Sequence, residues 1–483
     1  MGYAISDEVM RLRTYQYQNR RAKDTLKFLN SETGVIVEGS VKRALLEQGF
    51  LLNDQRDNKS HFEPQSSFDN LLKYAVYVPF NPDQEAWNKA YSATVHAFVL
   101  PMNQSIKQDM DPRSVFASVK GDKSSGAPEF SSKKDVSEKD YVRMLNWLRG
   151  CKAPDPCVAY HRVQHGSDGP RFRLVWGYPQ SVTMGEGTFA RPLIDMYKER
   201  RSVMAFGKTR HKLSAQMTSI LNSHARYGLD MSRFDASIHA SLINMAFNVL
   251  SKNFDWYESC YEDWQKIERY FIHTTILMPD GYVYTKHRGV PSGSYFTQMV
   301  DSVVNYFAIQ YANFRLTGKL LNENKILVLG DDSIFGSDDA ISIKEYARVL
   351  LELGLTVNQE KSCLALEHQQ VEFLGHIWKS GLPDRNPIDV AKRMVYPENH
   401  SKITDGRVRI KTRVYPYVTD ALSAHKIITE YQKCPNGIIP MYSNVDIDWK
   451  EGLTGWQELQ TLNDNDLLIN RDCLMQAYVG LLR

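Results

Sequence analysis

Apolar residues along the chain fall into two periods, and the change from one to the other marks out its elements. Phe296, Met299, Val300, Val303, Val304 and Phe307 recur at three and four residues, the spacing that lines one face of a helix. This helix is predicted to open directly after a small-residue loop, Gly289 Val290 Pro291 Ser292 Gly293. Thr274 to Met278 and Tyr282 to Lys286 flank Pro279 Asp280 Gly281 and read as two strands joined by a tight turn. Ile326 Leu327 Val328 Leu329, then Gly330 Asp331 Asp332 Ser333, then Ile334 Phe335 predict two buried strands with two carboxylates at their joint. Ser342 and Glu345 form a capping box that opens a helix through Leu353, and Gly354 suits its C′ position. Residues 96–220 read as loops alternating with short elements. Residues 1–95 mix short periodic stretches with polar turns such as Asn53 to Asn58. No internal repeat is present.

Composition narrows the class. With 42% hydrophobic and 24% charged residues over 483 positions, the chain can bury a large core and is neither disordered nor fibrous. Six cysteines, sparse and unclustered, argue against a disulfide scaffold and fit a reducing compartment. No apolar run approaches the roughly 18 to 20 residues of a spanning helix, and the N-terminus lacks a signal-peptide stretch, so the chain is expected to be soluble. A net charge of +3 excludes a polycationic nucleic-acid coat, but the charge is uneven. Arg191, Lys198, Arg200, Arg201, Lys208, Arg210 and Lys212 make residues 191–212 basic, whereas residues 441–483 are acidic.

Adjacent aspartates in a turn repel and raise each other's pKa unless a cation lies between them, so Asp331 and Asp332 call for a positive partner. An oxygen-rich cluster without His or Cys suits a hard ion such as Mg²⁺, which keeps places open for phosphate oxygens. A second acidic stretch, Asp230 Met231 Ser232 Arg233 Phe234 Asp235, lies upstream. If Gly228 to Ser232 ends a strand, Asp230 can share that cation with Asp331. The alternative is that Asp230 and Asp235 bracket a helix beginning near Ser232. The small residues of Gly289 to Ser294 let backbone approach a ligand closely. Arg171 Phe172 Arg173 Leu174 Val175 Trp176 interleaves cations with rings, for phosphates or stacked bases, or as a strand with one polar face. Cys151, Cys157, His161 and His165 have ligand chemistry, but their spacing is not that of a zinc finger. Met1 Gly2 Tyr3 Ala4 Ile5 Ser6 matches a myristoylation pattern that bulky Tyr3 disfavours.

In order and spacing these residues resemble a known family. Asp230 with Asp235, then Ser292 Gly293 with Thr297 and Asn305, then Gly330 Asp331 Asp332, resemble motifs A, B and C of viral RNA-dependent RNA polymerases. The resemblance extends to Ser124 Ser125 Gly126 Ala127 Pro128 as motif G, Arg171 and Arg173 as motif F, Lys361 in Asn358 Gln359 Glu360 Lys361 as motif D, and Phe373 Leu374 Gly375 as motif E. The form Asp x Ser x Phe Asp and the stretch Val175 to Pro179 look most like partitiviruses, the plant cryptic viruses with double-stranded RNA genomes; Met231 departs from the aromatic residue often found there.

The resemblance implies an α+β, right-hand fold of fingers, palm and thumb around an antiparallel palm sheet. Residues 1–95 would be an N-terminal extension of the fingers, 96–220 fingers with motifs G and F, 221–385 palm with a fingers insert at about 245–285, and 386–483 thumb and acidic tail. Asp230 and Asp331, supported by Asp332, would bind two Mg²⁺ ions, with Mn²⁺ able to substitute. Asp235, Asn305 and Ser292, in the loop with Gly293 and Thr297, would recognise the ribose. Arg173 and Arg171 would pair with the triphosphate, Lys361 would protonate pyrophosphate, and Ser124, Ser125, Gly126 and Pro128 would guide the template. The implied activity is RNA synthesis from NTPs without a protein primer, on an RNA template, giving double-stranded RNA inside a capsid in the host cytoplasm, with the capsid protein as partner and no DNA involved. A reverse transcriptase is a rival, against which Leu329 Gly330 Asp331 Asp332 and Asn305 count. A catalytically silent RNA-binding protein is another, disfavoured by intact acids in all three motifs.

Overall fold

The computed structural model describes residues 3–396, apart from 32, 35–36, 48, 50–60, 110, 112–122, 136–137, 167–168, 201, 209, 367–368, 380–381 and 385. The expected acidic tail, nearly all of the expected thumb and Gly2 lie outside the described residues.

A four-stranded antiparallel sheet forms the centre, in the order Cys363–Leu366, Ala225–Gly228, Asp332–Ser337, Ile326–Leu329. The two strands predicted around Gly330 form a hairpin, with Asp332 opposite Leu329. Ala225–Gly228 is buried along its length and pairs with the second arm of that hairpin, Gly228 opposite Ile334. Carried two residues beyond the ladder, this register sets Asp230 across from Asp332. The helix predicted after the small-residue loop runs from Thr297 to Thr317 and ends at Gly318, whose φ of +72° suits a residue without a side chain. It is buried on every side from Met299 to Asn313, as a helix inside a large core must be. Trp87 of helix Gln84–Phe98 meets its Phe307, ring centroids 4.7 Å apart. The Ser342–Glu345 capping box is present, and the helix Ile343–Leu350 tightens into a last 3₁₀ turn before Gly354 at φ +75°.

The predicted hairpin Thr275–Leu277 and Tyr282–Thr285 is the middle of a larger sheet. Its order is Arg13–Gln16, Tyr282–Thr285, Thr275–Leu277, Cys157–Gly166, Gly169–Gly177. The N-terminal extension therefore supplies an edge strand to the sheet that carries Arg171 and Arg173. Two expected boundaries fall inside helices: residue 95 lies within Gln84–Phe98 and residue 245 within Ala240–Ser251. In the first, the buried face Ala86, Ala90, Thr94, Ala97 and Phe98 continues past 95 without a break.

Residues 96–220 hold more helix than their sequence suggested: Glu138–Leu148, Gln180–Glu199 and Arg210–Leu221. Gly185, Gly187 and Pro192 interrupt the helical signal of the second, and burial overrides that propensity. Gly185 is where helix Glu138–Leu148 comes closest, since a Cβ there would lie 2.8 Å from the Trp147 ring. Phe373 and His376 close a small hairpin over Leu374 and Gly375, both at positive φ.

The sulfur and imidazole candidates have other surroundings. Cys157 is buried with its Sγ 3.6 Å from the Tyr270 hydroxyl, Cys151 is exposed, and His161 stacks on Phe28. The side chain of His165 lies outside the described residues. Among the described residues no helix is long and apolar enough to cross a membrane.

Candidate active site

Asp230 follows the central strand by two residues, and its backbone is tied on both faces. Its carbonyl accepts from the Asn358 N–H (2.8 Å), and its N–H donates to Ser362 Oγ (2.9 Å). Met231 bridges to Val357, and the Ser232 N–H donates to the Thr356 carbonyl. The strap Thr356–Ser362 thus fixes Asp230 and carries the exposed Lys361 beside it. A short helix does begin near Ser232, over Phe234–Ser237 with Asp235 in its first turn; it opens after Arg233, which sits in the left-handed region at φ +55°. Beyond a glycine such a φ costs about 1 kcal/mol and recurs at functional sites.

The hairpin turn is held from below by the long helix. Ser302 Oγ accepts from the Gly330 N–H (2.9 Å), and Asn305 Nδ2 donates to the carbonyls of Gly330 and Asp331 (both 3.0 Å). Asn305, expected at the ribose, spends its amide nitrogen on this turn. One helical turn earlier, buried Asp301 faces Asp235 and Asp331; its carboxyl is pushed well above the carboxylate range, by burial first and then by those two acids. Its Oδ1 has no hydrogen-bond partner among the described residues.

The acids are electrostatically one group. Asp332 reaches solvent, and its carboxyl is pushed up to about 6 by lost hydration, then by Asp331, Asp230 and Glu372, with Arg173 opposing. Asp235 is pushed up to about 6 by burial and by Asp331, again against Arg173. Mutual repulsion of this kind is what a multivalent cation relieves. Among the described residues no three His, Cys, Asp or Glu side chains close into a preformed cage. The donor set fits a hard ion that completes its shell with water and substrate phosphates. Asp230 and Asp331 are both exposed and offer carboxylates from separate elements.

The small-residue loop is wedged against the strand bearing Arg173. A Cβ on Gly293 would lie 1.8 Å from the Trp176 carbonyl, so only glycine fits, and Ser292 Oγ accepts from the Trp176 N–H at 3.3 Å. Thr297 Oγ1 donates back to the carbonyls of Pro291 (2.7 Å) and Ser294 (3.0 Å), closing the loop on its own helix. Two buried ionisable residues that sequence reasoning missed hold the loop's ends. Glu186, fully buried in helix Gln180–Glu199, accepts from Ser294 Oγ (2.8 Å) and the Tyr295 N–H (2.9 Å). Lys286, also fully buried, donates to the carbonyls of Phe271 (2.5 Å), Ile272 (3.0 Å) and Gly289 (2.8 Å). A charged residue among glycines inside a helix, as in Gly185 Glu186 Gly187, was the available signal for Glu186.

The Ser124 segment joins the same frame. The Gln180 N–H donates to the Ser125 carbonyl (2.8 Å), Ser124 Oγ meets the Tyr160 hydroxyl (2.8 Å), and Gly126 at φ +69° leaves no room for a Cβ against the Tyr178 carbonyl. Pro128 follows in this turn, its carbonyl accepting from Asn19 Nδ2 at 3.3 Å. Arg171 lies in the strand Gly169–Gly177, its side chain outside the described residues; Arg173 is exposed on it and faces Asp235 and Asp332.

Comparisons with known proteins agree with this geometry. Residues 168–401 match the family model described as viral RNA-dependent RNA polymerase. An RNA-directed RNA polymerase of Cryptosporidium parvum virus 1 is 32% identical over 219 residues, 43% of this chain and 41% of that protein. One from White clover cryptic virus 1 is 28% identical over 276 residues, 50% of this chain and 44% of that protein. The chain thus spans less than half the length of these curated relatives. The crystal structure of a human picobirnavirus RNA-dependent RNA polymerase superposes with a TM-score of 0.67 over 95% of this chain and 99% of that one, at 16% identity, which shows the α+β polymerase fold.

Proposed function

From the premise that this chain is a relative of the partitivirus-like viral RNA-dependent RNA polymerases, we propose that it copies RNA from ribonucleoside triphosphates on an RNA template, without DNA and without a protein primer. The observation that carries this reading is the register of the central sheet, which brings Asp230 opposite Asp332 and beside Asp331 at the mouth of a frame built from the Ser292 loop and Arg173. Asp230 and Asp331, with Asp332 beside them, would hold two Mg²⁺ ions, for which Mn²⁺ would substitute; bound there, such ions activate the attacking oxygen and stabilise the leaving one.

This chain's own groups divide the remaining work. Arg173, with Arg171, neutralises the triphosphate as a bidentate donor. Asp235 and Asp301 face each other at the ribose, where a hydroxyl would supply the donor that Asp301 Oδ1 lacks. A deoxynucleotide leaves that buried oxygen unpaired, which penalises the wrong sugar. Asn305 holds the turn beneath. Lys361, strapped beside Asp230, delivers the proton to pyrophosphate. The Ser124–Pro128 turn guides the template towards the loop. Replication and transcription of a double-stranded RNA genome inside a capsid, with the capsid protein as partner, belong to the same proposal.

The test is incorporation of labelled NTPs by the purified chain on short single-stranded RNA without primer, with Mg²⁺ and then with EDTA. Template-length product is expected, abolished by EDTA and reduced at least about 10³-fold in Asp331→Ala. Full activity in that variant refutes the role of Asp331. Product only from an annealed primer refutes primer independence, and silence with either template refutes the polymerase reading for the chain alone.

A further inference from the structure

The N-terminal extension brings one helix to the heart of the site. The last turn of Gln65–Ala75 touches three of the elements described above. Asn70 Nδ2 donates to the Phe172 carbonyl (3.2 Å), next to Arg173 on its strand. The Tyr74 hydroxyl donates to the Val290 carbonyl in the small-residue loop (3.2 Å). The Tyr74 ring also packs where a Cβ on Gly289 would strike it at 2.7 Å, a position equally close to the Asp235 carbonyl. The Lys73 carbonyl accepts from Arg288 Nη2 (3.0 Å).

Between these anchors Lys73 has its ammonium fixed on Asn70 Oδ1 at 2.7 Å. Its charged neighbours are Arg233 and Arg173, with Asp69 on its own helix as the one acid acting on it. Among the described residues none of Lys73, Arg173, Arg233 and Arg288 makes an ion pair. Three cations, Lys73, Arg173 and Arg233, have thus been drawn from three elements to one place, with Asp69 acting on Lys73 and Asp235 and Asp332 on Arg173 but none of these acids in ion-pair contact; Arg288 holds the Lys73 carbonyl beside them. Lost hydration first, and then repulsion from Arg233 and Arg173, act against the charge on Lys73 and lower its pKa, with Asp69 opposing. An anion of several charges placed among them would relieve that repulsion. Arg173 connects the cluster to the acids, since it alone of the three acts on both Asp332 and Asp235. Neither of those acids acts on Lys73, so its charge is left for the phosphates of a nucleotide held at Asp235 and Arg173.

We propose that Lys73, set by Asn70 between Arg173 and Arg233, binds the triphosphate tail of the incoming nucleotide, so that the N-terminal extension supplies part of the substrate site. This rests on the polymerase reading above. Loss of one charged hydrogen bond in Lys73→Gln raises KM for NTP about tenfold with kcat within about twofold of wild type, and the rise shrinks at high salt. Lys73→Arg keeps the charge and restores KM to within about threefold. An unchanged KM in Lys73→Gln overturns the inference. So does a fall in kcat together with a lowered Tm that Lys73→Arg does not repair, because Lys73 would then serve only the packing of its helix. If the wild-type chain incorporates nothing, the polymerase reading fails separately. Equilibrium binding of labelled ATP then decides Lys73: weaker binding by Lys73→Gln than by wild type supports it, and equal binding or none in both overturns it.

Discussion

The hairpin turn and the small-residue loop face each other across the site and are built in opposite ways. Asp230, Asp331 and Asp332 stand at the surface, held through the backbone groups of their own segments: by the ladder of the central sheet, by the strap Thr356–Ser362, and by Ser302 and Asn305 under the turn. Among the described residues their side chains make no hydrogen bond or ion pair, which leaves them for ligands. The loop Gly289–Ser294 is tied by two backbone bonds, to the Ile238 and Asp235 carbonyls, and by buried side chains of its neighbours: Glu186 at one end, Lys286 at the other, and Thr297 closing it on its own helix. A group that must bind ions gains from being structurally idle, because repulsion among the acids already costs stability. A loop of small residues has few side chains to hold itself and borrows buried polar groups from its neighbours.

The difference predicts opposite responses to substitution. Asp230→Ala and Asp331→Ala should lose activity by at least about 10³-fold while Tm stays within about 2 °C of wild type or rises, because each change removes charge from a crowded cluster. A large fall in Tm in either variant would mean that the acids carry the fold, and would end the comparison. Gly293→Ala comes next. Its Cβ at 1.8 Å from the Trp176 carbonyl forces the loop away from the strand, and overpacking of this kind costs about 1–3 kcal/mol. Activity should fall about 10²-fold through misplacement alone, together with a drop of several degrees in Tm. Wild-type Tm and activity in Gly293→Ala would show that the loop is free to move.

The same contrast explains what could be read from the sequence. The hairpin around Gly330, the helix after Gly293 and the capping box at Ser342 are local patterns, and each forms where its period placed it. The acids were legible because their chemistry lies in adjacent residues. Glu186, Lys286 and Lys73 were not, because each acts on a partner distant in sequence: Ser294 for Glu186, the carbonyls of Phe271 and Ile272 for Lys286, and the Arg173 and Arg233 cluster for Lys73. Asn305 spends its amide nitrogen on the turn, while its Oδ1, like Asp301 Oδ1 one helical turn earlier, has no hydrogen-bond partner among the described residues. Asn305 and Asp301 share a helix face, and only tertiary packing decides which of two residues four apart meets Asp235 and which meets the turn. The N-terminal extension looked peripheral since its strand and helix gain their meaning from pairing with residues 282–285 and 172–173.

The smallest and most specific effect should come from Glu186. Its carboxyl is pushed up to about 8, by burial first, against the Ser294 hydroxyl, the Tyr295 N–H and Lys133, which favour its charged form. Tyr178 and Cys157 also face it, both pushed well up by their own burial and so neutral across the neutral range. A carboxyl held above its unfolded value binds its proton more tightly in the folded state. Its contribution to stability is complete below about 4.5 and is lost as pH rises through about 8. Asp235 and Asp332 add losses of the same sign near pH 6, and Glu268, pushed up to about 7 by burial, adds another. Wild-type Tm should therefore decline from pH 5 to pH 9. Glu186→Gln imitates the protonated acid and cannot ionise, so it should track wild type near pH 5 and become progressively the more stable of the two towards pH 9, with activity reduced only a few-fold because the amide still offers an acceptor to the loop. Thermal melts of the two proteins across that range measure the divergence. Parallel curves would show that Glu186 is already charged in the fold, and that the loop is held by an ion rather than by a neutral acid.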